Sequence, residues 1–287
     1  MSKIKSSIKK QKTEKSQRST LHKLIIRGLS LCIVGALGLG YFIYSSIFKS
    51  NIKTPNQKIF DLYIPSNASF SQVKDSLFKY DIIINHSSFE WVANKKNYPN
   101  LIKGGRYTIL DGMSNNQIVD LLRSGKQNPI QITFNNIQNL DELFASIGKQ
   151  IEANPNDLRS LLANDDFLDS LGIEKNQEYL LFLPDTYFSN WNTSARQFIY
   201  RMKKESNKFW NTKRKEKSEQ LKLAPFEVQT LASIVQKESN ISTERPLIAS
   251  VYLNRLKLGM PLGADPTIIF AHQMSEDTIR RILSDLD

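Results

Sequence analysis

Residues 225–239 read Pro-Phe-Glu-Val-Gln-Thr-Leu-Ala-Ser-Ile-Val-Gln-Lys-Glu-Ser, and this stretch decides the character of the C-terminal half. Pro225 suits the first turn of a helix, where a missing N–H leaves no bond unmade. Val228, Leu231 and Val235 follow at i, i+3 and i+7, one face of a helix. Three residues along the same stripe comes Glu238. An acid on the core-facing stripe of a last turn meets two effects that raise its pKa. Desolvation disfavours the carboxylate, and the negative end of the helix dipole repels it. Such a group keeps its proton near neutrality and can act as a general acid. The alternative is that Glu238 turns outward to water, or pairs with Lys237 or Arg245.

Downstream, Thr243 is placed to cap a helix carrying Arg245, Pro246, Leu247, Ile248, Val251, Tyr252, Asn254 and Arg255, with Gly259 as its stop. Gly263-Ala-Asp-Pro-Thr267 then reads as a turn. Its Asp265 and Thr267 are short polar groups suited to orienting a hydroxyl-rich ligand, or to ordinary turn bonding. Upstream, eight Lys/Arg between Arg201 and Lys217 face only Glu205 and Glu216. That pattern is a solvated basic face, or a contact for an anionic polymer or lipid headgroups. Leu140, Leu143, Phe144, Ile147 and Ile151 keep helical spacing and open this more helical region, with a boundary near residue 135.

Before that boundary the periods alternate. Phe60, Leu62 and Ile64 spell a half-buried strand ended by Pro65, and Phe70, Val73 and Leu77 a helix. A second helix runs through Phe89, Val92 and Ala93, and Arg106–Leu110 returns as a strand. Ser114-Asn-Asn-Gln117 is a capping box, with Ile118, Leu121 and Leu122 behind it and Gly125 as the stop. Gln131–Phe134 is a further short strand. The strand, helix, helix, strand order resembles a LysM-like carbohydrate-binding unit, a pattern that other small α+β modules share.

Gly28–Phe48 is 21 residues without a charge, about 31 Å as a helix and enough to cross a bilayer. Arg27 and Lys49 bracket it, and Tyr41, Phe42 and Tyr44 crowd its far end as interfacial aromatics do. The long head, the length of the run and the lack of an A-x-A site set it apart from a cleaved signal peptide. Residues 1–27 hold nine Lys/Arg against Glu14, +8 of the chain's net +11, which reads as a signal keeping the head in the cytoplasm. With so little charge left over, nucleic acid is not an expected partner. Residues 49–57, polar with Pro55, read as a linker.

At 287 residues, with 40% hydrophobic and 23% charged, the chain is long enough for about two folded domains and is neither fibrous nor wholly disordered. The lone Cys32 forms no internal disulfide, and His22, His86 and His272 are too scattered for a zinc site. Neither a metal nor another cofactor is expected, there being no phosphate-binding glycine motif.

Leu231-Ala-Ser-Ile-Val-Gln-Lys-Glu-Ser239, Glu244-Arg-Pro-Leu-Ile-Ala-Ser-Val-Tyr-Leu-Asn-Arg255 and Leu258-Gly-Met-Pro-Leu-Gly-Ala-Asp-Pro-Thr267, in that order, resemble the endolytic murein transglycosylases of the YceG-like family. Pro184-Asp-Thr-Tyr187 matches a further family motif, and the basic head, apolar span and LysM-like module agree with it. The resemblance implies an α+β chain in five parts: a basic cytoplasmic head (1–27), a transmembrane helix (28–48), a linker (49–57), a LysM-like module (58–134) and a mainly helical catalytic domain (135–287). It implies a single-pass protein of the inner membrane with its catalytic domain periplasmic, acting on peptidoglycan glycan strands, with peptidoglycan synthases as candidate partners.

The implied reaction cleaves the β-1,4 bond from N-acetylmuramic acid to N-acetylglucosamine without water, forms 1,6-anhydromuramoyl ends and so limits the length of nascent strands. The family's catalytic acid falls on Glu238, with Ser239, Asn254, Asp265, Thr267 and Tyr187 as candidates for orienting the sugar. Departures from the family pattern stand at Gln236, where many relatives have another Glu, and at Gly263, where they usually have Gln. Glu178-Tyr-Leu-Leu-Phe-Leu183 lacks the glycine common before Pro184. Relatives also usually continue past Asp287 with segments that wall the cleft, so the resemblance implies a C-terminally truncated catalytic domain. A catalytically inactive, membrane-anchored peptidoglycan-binding scaffold is the alternative expectation.

Overall fold

The computed structural model describes residues 27–55, 58–175 and 177–271. Nearly all of the basic head, His22, His272 and the end of the chain lie outside the described residues. The chain divides into two compact units, one running to Gln131 and taking in Phe188–Asn192, the other made of Ile132–Tyr187 and the chain from Thr193.

The first unit begins with the apolar helix α1, Arg27–Phe48, which is exposed along most of its length as a membrane-spanning helix would be without lipid. Strand β1 (Ile59–Ile64) pairs antiparallel with β2 (Gly105–Leu110), Ile59 opposite Leu110 and Ile64 opposite Gly105. Between them lie α2 (Phe70–Lys79) and α3 (His86–Lys95), and α4 (Asn115–Ser124) follows. Ser69 with Gln72, and Ser114 with Gln117, form reciprocal capping boxes at the starts of α2 and α4. Gly125 ends α4 at φ 74°, a left-handed conformation that glycine enters freely. The alternating positions of the strands and the apolar faces of the helices meet in one core that includes Leu62, Ile64, Val73, Leu77, Phe89, Val92, Tyr107, Ile109 and Ile118. Each such large apolar side chain contributes about 1.5–3 kcal/mol on burial.

The expected linker needs correcting. Asn51, Ile52 and Thr54 are buried, Ser50 and Ile52 form bridges to Ser114 and Ile83, and the Thr54 amide donates to Asp111 Oδ1 at 2.7 Å. Residues 50–54 are therefore built into the first unit, because the polar side chains that suggest solvent here find buried partners.

The second unit is mainly helical. Strands β3 (Ile130–Phe134) and β4 (Asp185–Ser189) pair, and Phe182 packs among Phe134, Phe144 and Phe198. Helices α5 (Leu140–Gly148), α6 (Pro155–Leu162), α7 (Asp165–Leu171) and α8 (Ala195–Phe209) surround this cluster. The charged α9 (Thr212–Gln220) leads to α10 (Pro225–Glu238), α11 (Arg245–Lys257) and α12 (Asp265–Ala271). Two differences from the sequence reading appear here. The cap of α11 is Glu244 instead of Thr243, and residues 265–271 are helical, since Pro266 in a first turn favours a helix start.

Candidate active site

Helix α10 opens at Pro225, with Glu227 Oε2 accepting from the Ala224 amide at 2.7 Å, and ends at Glu238. Leu231, Ile234 and Val235 turn inward and pack with Tyr252 of α11 and Ala264 of the following loop. Among the described residues this core has five buried side chains, while Leu247, Val251, Leu258, Met260, Ile268 and Phe270 remain exposed. Upstream, a 3-10 turn at Glu178–Leu181 ties the middle of α10 in place. Tyr179 and Thr230 share a 2.9 Å hydroxyl bond, and Gln229 Nε2 donates to the Tyr179 carbonyl.

Glu238 is exposed, which corrects the expectation that its carboxyl is set into the core. The stripe runs as the spacing indicates, but the last turn extends past the buried side chains of Leu231, Ile234 and Val235. Glu238 Oε1 instead accepts from the Tyr252 hydroxyl at 2.8 Å. Tyr252 is buried, and its pKa is pushed up to about 12 by that burial, then by the bond and charge of Glu238; Asp265 adds to the rise and Arg255 opposes it. The phenol therefore stays a proton donor to Glu238 throughout the physiological range. Glu238, Tyr252, Arg255 and Asp265 form one electrostatic group at the meeting of α10, α11 and α12.

The backbone around this group is held by short polar side chains. Ser239 Oγ donates to Glu244 Oε2 at 2.7 Å and accepts from the Ile241 amide at 3.0 Å, and the Ser239 carbonyl accepts from Arg245 Nε. Arg255 Nη1 donates to the Leu262 carbonyl. Gly263 has φ 59°, and a Cβ there would lie 3.2 Å from Arg255 Nη1, so glycine suits both the backbone and the arginine. Thr267 Oγ1 donates to the Ala264 carbonyl at 2.6 Å, pinning the start of α12.

Of the candidates from sequence, Asp265 comes near the Glu238–Tyr252 pair. Asn254 is exposed on α11, two residues from Tyr252 and so on a different side of the helix. Tyr187 belongs to the core of β4: it stacks on Phe134 with centroids 5.4 Å apart, and its hydroxyl donates to the Leu183 carbonyl at 2.6 Å. Sequence reasoning overlooked Tyr252 and Tyr179 as partners of α10. For Tyr252 a signal existed, because Ile248 and Tyr252 lie four apart on one helix face and carry it towards α10.

The chain is similar to several known proteins. The endolytic murein transglycosylase of Bacillus subtilis (strain 168) is 27% identical over 256 residues, covering 84% of this chain and 71% of the relative. That of Streptococcus pneumoniae serotype 2 (strain D39 / NCTC 7466) is 25% identical over 268 residues, covering 81% of this chain, which spans 47% of that relative. A crystal structure of a YceG-like protein from Listeria monocytogenes is 25% identical, with a TM-score of 0.47 over 76% of this chain and 77% of that one. The profile of the YceG-like family matches residues 62–286, from β1 through the Glu238 group, and the chain belongs to that family.

Proposed function

We propose that this chain is an endolytic murein transglycosylase, a lyase that cuts the β-1,4 bond between N-acetylmuramic acid and N-acetylglucosamine inside peptidoglycan strands. The observation that carries this reading is the carboxyl of Glu238 held through Oε1 by Tyr252 at the end of α10. With one oxygen held, the other is left to exchange a proton with the sugar.

In the first half, a proton passes from Glu238 to the glycosidic oxygen as its bond to muramoyl C1 breaks, and the N-acetylglucosamine leaves with a free 4-hydroxyl. The acetamido carbonyl oxygen of the muramoyl residue closes on C1 and takes up the positive charge, so no second carboxylate is demanded. In the second half, the Glu238 carboxylate removes the proton from the C6 hydroxyl. O6 displaces the acetamido oxygen at C1, a 1,6-anhydro ring closes, and Glu238 is protonated again. The Tyr252 donor steadies the carboxylate between the two halves. Asp265 and Asn254 orient sugar hydroxyls from their exposed positions. Ser239, Thr267 and Tyr187, whose hydroxyls already bond within the protein, hold the backbone that carries the site.

Helix α1 is the single membrane anchor, with the basic head cytoplasmic and the rest periplasmic. In this reading the first unit is a LysM-like module that meets glycan, and cutting close to the membrane limits the length of new strands. Peptidoglycan synthases are the proposed partners. The test is digestion of purified sacculi in oxygen-18 water. Anhydromuramoyl ends without the heavy isotope are expected; a labelled reducing end would indicate a hydrolase and overturn the proposal.

A further inference from the structure

The junction between α1 and the first unit is a clamp. Ile47, in the last turn of α1, packs against the core of the first unit. Asn115, only 1% exposed, donates through Nδ2 to the carbonyl of Ser46 on α1 and to Ser88 Oγ, each at 2.9 Å. Asn51, 5% exposed, donates through Nδ2 to Asn115 Oδ1 at 2.7 Å and to the Asn85 carbonyl at 3.0 Å. Its Oδ1 accepts from the Asn85 amide at 2.7 Å. Both buried amides are thus satisfied, and one of them closes a carbonyl that the end of a helix leaves open. Backbone bonds reinforce the joint: the Asn51 and Ile52 amides donate to Met113, Lys53 to Ile82, and Ile84 to Asn51.

A helix joined in this way cannot swivel freely on the unit that follows it. Phe48 and Lys49 are exposed at the exit of α1, and Ile84, 63% exposed, is bonded through its amide to Asn51. Two residues, Lys49 and Ser50, separate Asn51 from Phe48, three Cα–Cα steps of at most about 11 Å, comparable with one headgroup layer of about 5–8 Å.

We propose that the first unit is a rigid foot resting on the lipid headgroups of the membrane that α1 crosses, with Phe48, Lys49 and Ile84 at the contact. The headgroup layer suits an isolated apolar side chain and a lysine beside an aromatic ring. The proposal rests on reading α1 as an anchor, and its test keeps the two apart.

The full chain carrying Cys32→Ser and Ile84→Cys, labelled with a nitroxide, is reconstituted in vesicles of phosphatidylethanolamine and phosphatidylglycerol. Release by alkaline carbonate would overturn the anchor, and the foot with it. With the protein retained, the label at position 84 is expected to be reached by oxygen dissolved in lipid and shielded from a water-soluble nickel complex. A label at Leu101→Cys, past the far end of α3 and about 15 Å along that helix, is expected to show the reverse. Equal aqueous access at both positions would overturn the foot and leave the anchor standing. Asn115→Leu removes the donors to Ser46 and Ser88 at similar volume. In that variant, with circular dichroism unchanged, position 84 is expected to lose its shielding, and retained shielding would overturn the clamp.

Discussion

The Tyr252 hydroxyl donates to Glu238 Oε1 across 2.8 Å, joining a buried residue of α11 to the exposed last residue of α10. Hydrogen bonds to charged groups contribute about 1.5–3 kcal/mol, so losing this one should slow the reaction by roughly 10–100-fold if it acts in the transition state. Tyr252→Phe keeps the ring in the core and removes only the donor. The expected result is a fall in kcat with a Tm lowered by no more than several degrees, both measured on the same preparation and kcat at a temperature where the variant stays folded. Tyr252→Ala should lower both further, because it also opens a cavity in the core that Tyr252 shares with Leu231, Ile234, Val235 and Ala264.

Gly263 permits a second direct test. A side chain at φ 59° costs about 1–2 kcal/mol, and here it also presses on Arg255. Gly263→Gln should therefore lower Tm and reduce activity through the loop before α12. A variant as stable and active as the parent would show that the loop adopts another conformation.

Alkaline stability follows from the tyrosines. Burial pushes Tyr107 and Tyr187 up to about 12, as it does Tyr252, from an ordinary value of 10. Between those values the unfolded chain ionises and the folded chain does not. Their contribution is whole below pH 10 and is lost as the pH rises towards 12. The share of the phenolate absorbance that Tyr107→Phe and Tyr187→Phe remove should thus appear together with loss of circular dichroism in that window. That share appearing while the circular dichroism is unchanged would contradict the burial.

At Asp61, on β1 of the first unit, the sign reverses. Burial pushes Asp61 up, but bonds from Arg106 and Thr108 and the arginine's charge outweigh it, and its pKa is lowered. The Arg106–Asp61 pair is 2.6 Å apart between β2 and β1. Its contribution is present above the ordinary carboxylate range and is lost as the pH falls through the lowered pKa. Asp61→Asn should cost about 1 kcal/mol at neutral pH and flatten the acid limb of the stability curve.

The local elements were legible where periodicity and caps carry the information. The alternation of Phe60, Leu62 and Ile64, the boxes at Ser69 and Ser114, and Pro225 at the head of α10 need only near neighbours to do their work. Asn51 was misread as part of a linker because its partners, Asn85 and Asn115, are 34 and 64 residues away. The spacing puts Glu238 at the end of the helix that begins at Pro225, as the structure has it, yet its exposure depends on how far the neighbouring core extends, which no stripe encodes. Tyr179 bonds Thr230 from 51 residues away, again beyond any local pattern.

The central claim is that Glu238 supplies and then removes the proton. Mass spectrometry of the products from purified sacculi incubated with the membrane-reconstituted full chain, beside its Glu238→Gln variant, tests it most directly. The account predicts 1,6-anhydromuramoyl ends with the parent protein and none with the variant, although both still bind the wall. Anhydro ends in equal yield from a folded Glu238→Gln protein would contradict it.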